Sequence, residues 1–354
     1  MHPGHDRGRG GEPLLHAPGG AKGHGSTIDV GAQLTLDEGG QASASWAVDT
    51  MPTYILQRGR RTLPVAMGPN LAALLAAAPP HPRRVVCLTE ETTETLYRIG
   101  AGELVVGVSG YTVRPPEARR KPHISSFLSA DADKILALRP DLVLSFSDLQ
   151  SDIAADLARR GVPVFLMNQR SVAEILQAVR VTAGLVDRAE AGEALVRELT
   201  AALSSVAEGA ANLPRRPRVF FEEWPDPLIY GIRWVSELIE LAGADDVCAE
   251  SRAERGARGR IFAPEEVARR DPEVVIASWC GKKAIRSRIV GRPGWAQVRA
   301  VVEDQIYEVK STIILQPGPA ALTDGVGELA RIVAAVARGD KLPAPGRGEL
   351  RRAG

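Results

Sequence analysis

The stretch "ADADKILALRPDLVLSFSD", residues 130–148, decides the fold prediction because it joins a short helix to a buried strand. Asp131 precedes the helical pattern as an N-cap, and Pro140 ends it because proline cannot continue the hydrogen-bond ladder. Residues 142–145 follow, and their largely apolar sequence is typical of a strand buried on both faces, as in a parallel sheet. A helix followed directly by such a strand is the repeating unit of an α/β sheet.

The same unit recurs in "APEEVARRDPEVVIASWCG", residues 263–281, at a nearly constant spacing. Pro140 lies 132 residues before Pro272, and the pair Glu90-Glu91 lies the same distance before Glu222-Glu223. Two copies are too few for a repeat array, which needs at least about three units for stability. The spacing therefore predicts two α/β lobes of one architecture.

The segment between the two copies predicts a pair of helices. Ser171 and Glu174 have the spacing of a capping box, and Asp187 with Glu190 forms a looser one. The second helix presents an apolar face and, at about 25 residues, would be roughly 37 Å long; the residues on that face are Leu195, Leu199, Leu203 and Val206. Bending such a helix would break several hydrogen bonds, so we expect it to hold the lobes rigidly.

The predicted fold class is therefore α/β, with two Rossmann-like lobes, mostly parallel sheets, a long rigid helix between them, and a ligand cleft between the lobes. The expected boundaries are a disordered or variable extension at 1–82, a first lobe at 83–184, the connecting helix at 185–213, a second lobe at 214–342 and a tail at 343–354. The glycine-rich start, with four of six histidines in its first 24 residues, favours disorder there. A stretch at 58–80 resembles an export signal, but Gly68 and Pro69 interrupt it, which favours a linker or a short helix.

The composition excludes several classes of function. Lysine and arginine number 44 against 43 acidic residues, so no overall field attracts nucleic acid or an anionic membrane. The longest apolar run, residues 71–78, is far shorter than the roughly 20 residues of a membrane-spanning helix. Three cysteines without a CxxC spacing predict neither a disulfide framework nor a zinc site, and mildly favour a reducing compartment. We expect a monomer without a metal site.

Aromatic side chains follow the predicted strands, and the glutamate pairs Glu90-Glu91 and Glu222-Glu223 lie at the carboxyl ends of strands in the two lobes. Ligands bind at the carboxyl ends of parallel strands, so these residues predict an aromatic-walled cleft between the lobes. One buried ring contributes about 4 kcal/mol, from roughly 150 Å² at about 25 cal/mol/Å², before the costs of binding. The candidate ligand-binding residues are Glu91, Tyr111, Phe127, Phe146, Trp224, Arg233, Trp234 and Trp279.

Four stretches carry a resemblance to a known family: "RVVCLTEETTETLYRIGAGELVVGVSGYT", "DKILALRPDLVLSFSD", "GRPGWAQVRAVVEDQIYEV" and "QPGPAALTDGVGELARI". Over about residues 83–338 the chain resembles the substrate-binding proteins of cobalamin and ferric-siderophore ABC importers, whose lobes are joined by one rigid helix. The stretch "FEEWPDPLIYGIRWVSELIELAG" is most similar to the cobalamin-binding members.

This resemblance implies a non-enzymatic protein that captures a corrinoid such as cobalamin, with no cofactor of its own. It also implies an ABC permease as partner, which Asp133 and Glu265 or Glu266 would contact. A purely structural explanation is equally good for these acids, because the helix dipole stabilises acidic residues in a first turn.

Two alternatives remain open at this point. Arg170, Arg233 and Tyr111 would suit a ferric siderophore or a haem-type iron chelate. A cytosolic α/β enzyme could use the paired carboxylates, but neighbours on a strand point to opposite faces and no catalytic motif accompanies them. The resemblance implies a periplasmic location, whereas the lack of a signal after Met1 leaves a cytoplasmic one open.

Overall fold

The computed structural model describes residues 79–342, together with two short strands, β1 (Thr35–Leu36) and β2 (Ala42–Ser43), which pair antiparallel. The two short strands belong to one unit and residues 79–342 to another. The predicted tail and nearly all of the predicted extension, including most of the stretch at 58–80, lie outside the described residues. Among the residues that are described, no helix has the length and apolar character needed to cross a membrane.

The first lobe is a five-stranded parallel sheet in the order β5-β4-β3-β6-β7. Its strands are β3 (Val85–Cys87), β4 (Val105–Ser109), β5 (His123–Ser125), β6 (Leu142–Phe146) and β7 (Val164–Met167). Its helices are α1 (Glu90–Arg98), α2 (Ala132–Ala137), α3 (Ser151–Arg159) and α4 (Val172–Leu185). The side chain of Asp131 accepts a hydrogen bond from the Lys134 backbone N–H, which confirms the predicted cap of α2.

Both faces of this sheet are buried, as the continuous apolar runs predict. Successive residues of β3 point to opposite faces. Val85 and Cys87 belong to the large core that continues into the rest of the molecule, whereas Val86 packs in a smaller cluster with Ile135 and Leu157. The sheet therefore has no solvated face, and only its edges and strand ends are left for a ligand.

Helix α5 (Ala189–Ala211) is the predicted connecting helix, slightly shorter than expected. Its 23 residues make it about 35 Å long. It packs on α4 of the first lobe and on helices of the second lobe, with Leu195, Leu199 and Leu203 buried. One hydrophobic core thus runs through both lobes.

The two predicted capping boxes have different outcomes. Ser171 accepts a hydrogen bond from the Glu174 backbone N–H, and the Glu174 carboxylate accepts one from the Ser171 N–H, so the first box is confirmed. The looser box is wrong. Arg188 is the N-cap of α5 and makes no side-chain cap bond, while Asp187 sits before it with a φ of 57°.

The second lobe repeats the plan. Its parallel strands lie in the order β10-β8-β11-β12, and β9 pairs antiparallel with β8; they are β8 (Arg218–Pro225), β9 (Leu228–Tyr230), β10 (Asp245–Asp246), β11 (Val274–Ala277) and β12 (Ile306–Glu308). Its helices are α6 (Arg233–Leu241), α7 (Pro264–Arg270), α8 (Arg286–Val290), α9 (Arg299–Val302), α10 (Ser311–Ile314) and α11 (Val326–Arg338).

A second set of contacts joins the lobes beside α5, and we call it the lobe junction: α1, Arg114 and Gln169 of the first lobe against residues 317–324 of the second. The Glu94 carboxylate accepts a hydrogen bond from the Ala320 N–H at 3.2 Å. Arg114 bridges Glu94 at 3.3 Å and Asp324 at 2.8 Å. The Gln169 side chain donates to the Pro317 carbonyl at 3.2 Å.

A buried ion pair fixes the strand ends of the second lobe. Glu222 is fully buried, and both of its oxygens accept hydrogen bonds from Arg292 at 2.7 Å. The Trp279 indole N–H donates to the same carboxylate at 2.8 Å. The sequence prediction placed Glu222 and Glu223 at the exit of the strand, facing a ligand. That prediction is wrong for Glu222, which lies inside β8 and is saturated by partners from the same lobe.

The capping box gives a first prediction. Ser171→Ala should lower the free energy of unfolding by about 1 kcal/mol, because it leaves the Glu174 N–H without its side-chain acceptor. Urea denaturation measures the change. Ser204→Ala, at an exposed position inside α5, is the matched control and should change stability by less than about 0.5 kcal/mol. Equal losses in the two variants would contradict the capping role.

The buried ion pair gives a second prediction. Arg292→Met should destabilise the protein by about 3–5 kcal/mol, because the buried Glu222 carboxylate then loses its countercharge. Arg180→Met is the control, since its ion pair with Glu193 is solvent-exposed and should contribute no more than about 1 kcal/mol. In denaturant titrations, a similar small loss in both variants would show that Glu222 does not depend on Arg292.

Candidate functional site

The carboxyl ends of the first lobe's strands carry loops that are hydrogen-bonded into one surface. The loop after β4 meets the one after β5 through the Gly110 N–H and the Ser125 carbonyl at 2.8 Å. The Gln150 side chain donates to the Phe127 carbonyl at 2.9 Å, which joins the loops after β5 and β6. The Asp148 N–H donates to the Asn168 side chain and so reaches the loop after β7. These bonds hold the strand-end side chains in fixed positions.

Large apolar side chains stand exposed on this surface. Tyr111 is 52% exposed, Leu128 67% and Leu149 61%. Beneath them Phe127 and Phe146 pack with ring centroids 6.5 Å apart. We call the three exposed side chains the apolar lip. Exposed apolar groups clustered at strand ends suit an apolar ligand.

Arg170 lies under the lip and is only 7% exposed. Its guanidinium stacks 4.9 Å from the Phe146 ring centroid and donates to Asp148 at 2.8 Å. Burial lowers the pKa of Arg170, the Asp148 carboxylate opposes that change, and the positive charges of Arg255 and Arg260 lower the pKa further. The Nε atom of Arg170 has no hydrogen-bond partner among the described residues.

The second lobe presents a half-buried indole at its strand ends. Trp224 donates from its ring N–H to the Asp226 carbonyl at 3.0 Å, which fixes the ring orientation. The Lys282 ammonium lies 4.5 Å from its centroid, a cation–π contact. Next to it Glu223 pairs with Arg260 at 2.6 Å, and Arg260 also donates to the Tyr230 carbonyl.

One direct contact and two electrostatic interactions indicate that the two sets of strand ends face each other. Burial has the largest effect on the pKa of the Cys280 thiol and raises it, and Glu223 of the second lobe and Glu90 of the first both lie close enough to raise it further. Arg255 of the second lobe donates to the Asn168 carbonyl of the first at 3.5 Å. Arg170, as described above, feels the charges of Arg255 and Arg260. An interlobe surface of mixed apolar and charged character is the result.

The structure brings together only some of the predicted site residues. Tyr111, Phe127 and Trp224 lie on the facing strand ends, while Phe146 packs beneath the first of these surfaces with 6% exposure. Glu91 is 2% exposed and lies at the lobe junction. Arg233, although exposed, is bound at 2.7 Å to Glu237.

Two predicted wall residues require correction. Trp234 is 2% exposed and donates its indole N–H to the Ile314 carbonyl at 2.9 Å. Trp279 is also 2% exposed and is held by Glu222, as described above. Both indoles are packed in the core of the second lobe with their polar atoms satisfied, so neither offers a face to a ligand.

Several residues of the interlobe surface were not singled out from the sequence. Leu128 and Leu149 lie beside predicted residues, and their position in strand-end loops could have indicated them. Arg255 and Arg260 lie in the irregular segment between β10 and α7, where no hydrophobic period marks a position. Their partners are also distant in sequence: Glu223 is 37 residues from Arg260, and Asn168 is 87 residues from Arg255.

The predicted permease-contact acids lie on the surface within their own lobes. Asp133 pairs with Arg160 at 2.8 Å, and Glu266 pairs with Arg270 at 2.5 Å. Glu265 is exposed in the first turn of α7. The surface positions of these acids are compatible with a permease contact but do not test it, so that contact stays a prediction. Over the described part of the chain, no three His, Cys, Asp or Glu side chains group as a metal site.

Comparison with known sequences identifies relatives among transport proteins. The chain is 25% identical over 263 residues to an uncharacterised ABC transporter substrate-binding lipoprotein, YvrC, of Bacillus subtilis (strain 168), covering 72% of this chain and 80% of that one. It is 28% identical over 218 residues to a vitamin B12-binding protein of Yersinia pestis (strain Pestoides F), covering 61% and 76%.

Comparison with solved structures finds the same two-lobed fold. The periplasmic vitamin B12 binding protein BtuF of Vibrio cholerae superposes with a TM-score of 0.59 at 23% identity, over 73% of this chain and 98% of that one. A periplasmic haem binding protein of Pseudomonas aeruginosa superposes with a TM-score of 0.64 at 19% identity, over 75% and 96%. At these sequence identities, the structural similarity establishes the fold but does not identify the ligand.

The sequence profile named Periplasmic binding protein matches residues 85–313, which covers most of both lobes. With the paired parallel sheets, the connecting helix and the facing strand ends, this match establishes that the chain belongs to the Periplasmic binding protein family.

Proposed function

We propose that the chain is a non-enzymatic receptor that captures a corrinoid between its lobes and passes it to an ABC importer. The observation that carries this proposal is the half-buried Trp224 indole on one set of strand ends, facing a set that bears the apolar lip. The curated vitamin B12-binding relative supports the same ligand class.

The chemistry of a corrinoid suits this surface. Its macrocycle is broad and apolar on its faces, and its rim carries neutral amides that both donate and accept hydrogen bonds. Indole and leucine side chains match the faces. The ion pairs Glu223–Arg260 and Asp148–Arg170 place acceptors and donors together, with their charges balanced, where the amide rim would lie.

The proposed partner is an ABC permease, which Asp133, Glu265 and Glu266 would contact from the two lobes. The relatives named as lipoprotein or periplasmic support an extracytoplasmic location. The enzyme alternative loses one of its two pairs of candidate acids. Glu222 is bound by Arg292 and Trp279, and Glu223 by Arg260, so neither carboxylate is free to act as an acid or a base.

A second candidate ligand is an anionic iron chelate, and one observation favours it. Arg170, Arg255 and Arg260 approach each other from both lobes, and the Nε atoms of Arg170 and Arg260 are buried without a partner among the described residues. An anionic group would relieve the repulsion between these guanidinium groups and accept their hydrogen bonds.

Ligand titration tests the first candidate. Cyanocobalamin should quench the tryptophan fluorescence of the purified protein saturably. Trp224→Ala should weaken its binding by about 30-fold or more, the effect of removing an aromatic anchor worth about 2 kcal/mol. Trp224→Phe keeps a ring and should retain most of the affinity. Equal affinities for the alanine variant and the wild type would remove Trp224 from the site, and no response to cyanocobalamin would overturn the corrinoid proposal.

Removal of the Arg170 charge separates the two candidates. Arg170→Gln should weaken binding of an anionic ferric chelate by about tenfold or more, because a charge-assisted hydrogen bond is lost. Binding of a neutral corrinoid should change by less than about threefold. The test compares a ferric tricarboxylate siderophore with cyanocobalamin, both followed by fluorescence. A large loss for cyanocobalamin alone would contradict this division of roles.

A further inference from the structure

The lobe junction encloses an acidic side chain, Glu91, that forms no ion pair with any residue that the structure describes. Glu91 is 2% exposed, and its Oε1 atom accepts a 2.5 Å hydrogen bond from the Thr89 hydroxyl. Its Oε2 atom has no hydrogen-bond partner among the described protein atoms. An ionised carboxylate that is buried without a countercharge costs free energy. The neutral carboxyl needs only an acceptor for its proton.

An acceptor is available at the same place. Gln169 is 5% exposed, and its Oε1 atom also has no partner among the described atoms, while its Nε2 atom donates to Pro317. Glu91 and Gln169 line one cavity of about 10 Å³, together with Pro317 and Gly318 of the second lobe. That volume is close to what one water molecule requires. Two buried acceptors therefore line one cavity without a hydrogen-bond donor, and a proton on Glu91 would supply one, directly or through a single water.

The second lobe packs tightly against this carboxyl. A Cβ atom placed on Gly318 would lie 2.5 Å from the Glu91 Cβ. Glu94, one helical turn further along α1, accepts the Ala320 N–H. A change in the charge of Glu91 would therefore act directly on the contact between the two lobes.

The charged groups around Glu91 are acidic or already paired. Glu90 and Glu94 lie on the same helix. The cations that the described residues place at the junction, Arg98 and Arg114, are bound by Glu198 and by Glu94 and Asp324 respectively. The Cys87 thiol of β3 has a pKa raised to about 12 by burial and carries no charge. The cavity residues contributed by α4, namely Ile175, Ala178, Val179 and Thr182, carry no charge.

We propose that Glu91 is a proton-binding site of the lobe junction, and that its neutral carboxyl donates into the cavity towards Gln169, directly or through one water. Release of this proton places a charge between the lobes and weakens their contact. This inference concerns the protein without ligand and does not depend on which ligand the cleft binds.

The sign of the pH dependence follows from linkage. Burial, and to a smaller extent the charges of Glu90 and Glu94, raise the pKa of Glu91 from its ordinary value of 4.5 to about 8. A group that holds its proton more tightly when the junction is closed stabilises the closed junction fully below pH 4.5. That stabilisation is lost as the pH rises towards about 8.

Hydrogen exchange of the ligand-free protein tests the proposal, with Glu91→Gln and Glu91→Met as matched variants. Glutamine imitates the neutral acid because it has a donor, whereas methionine has similar size and no donor. For amides of residues 316–325, we compare the protection factor of the wild type with that of Glu91→Gln. The ratio of the two should fall by at least about tenfold between pH 5 and pH 8. Glu91→Met should be less protected than Glu91→Gln already at pH 5. Amides of α3 serve as the internal control and should not differ.

Either of two results would overturn the proposal: a ratio of wild type to Glu91→Gln that does not change with pH, or equal protection of the two variants at pH 5. If a variant fails to fold, carbon-13 titration of the glutamate carboxyls in the wild type decides the question. We expect one carboxyl to titrate near pH 8. Titration of every glutamate below about pH 6 would refute a proton held at the junction.

Discussion

The contact between α1 and residues 317–324 is the constraint on which the interlobe surface depends. Helix α5 alone would be a single connection between the lobes. The Glu94 carboxylate adds a second one beside it, since it accepts the Ala320 N–H while Arg114 connects it to Asp324. Two connections and one continuous core favour a fixed spacing of the facing strand ends. Preorganisation of this kind reduces the entropic cost of binding.

In the second lobe, a buried ion pair fixes the positions of side chains at the strand ends. Glu222 and Arg292 form a bidentate pair inside the lobe, and this pair orients the Trp279 indole. Breaking such a pair costs far more than forming it contributes, so it specifies one arrangement of the strand end. Glu223, its neighbour on β8, pairs instead with Arg260 near the cleft. The register of β8 against β9 shifts between Glu222 and Trp224, so two adjacent carboxylates have different partners, one inside the lobe and one at the interlobe surface.

Much of the fold could be predicted from the sequence because its determinants are local. The Asp131 cap, the Ser171–Glu174 box and the buried runs of β6 and β11 each depend on neighbours within a few residues. The site could be predicted only in part. Trp234 sits on the apolar face of α6 with Val235 and Leu238, and that helical period would have indicated the core. The partners of Glu222 and Glu223 are 70 and 37 residues away, beyond any local pattern.

Gly318 has a consequence for how the spacing between the lobes could change. Its Cα faces the Glu91 backbone and side chain so closely that a Cβ would lie 3.2 Å from the Glu91 Cα. Any larger residue at this position would collide with α1, so the two lobes would have to readjust where they touch. A single methyl group there is the smallest change that would force such a readjustment.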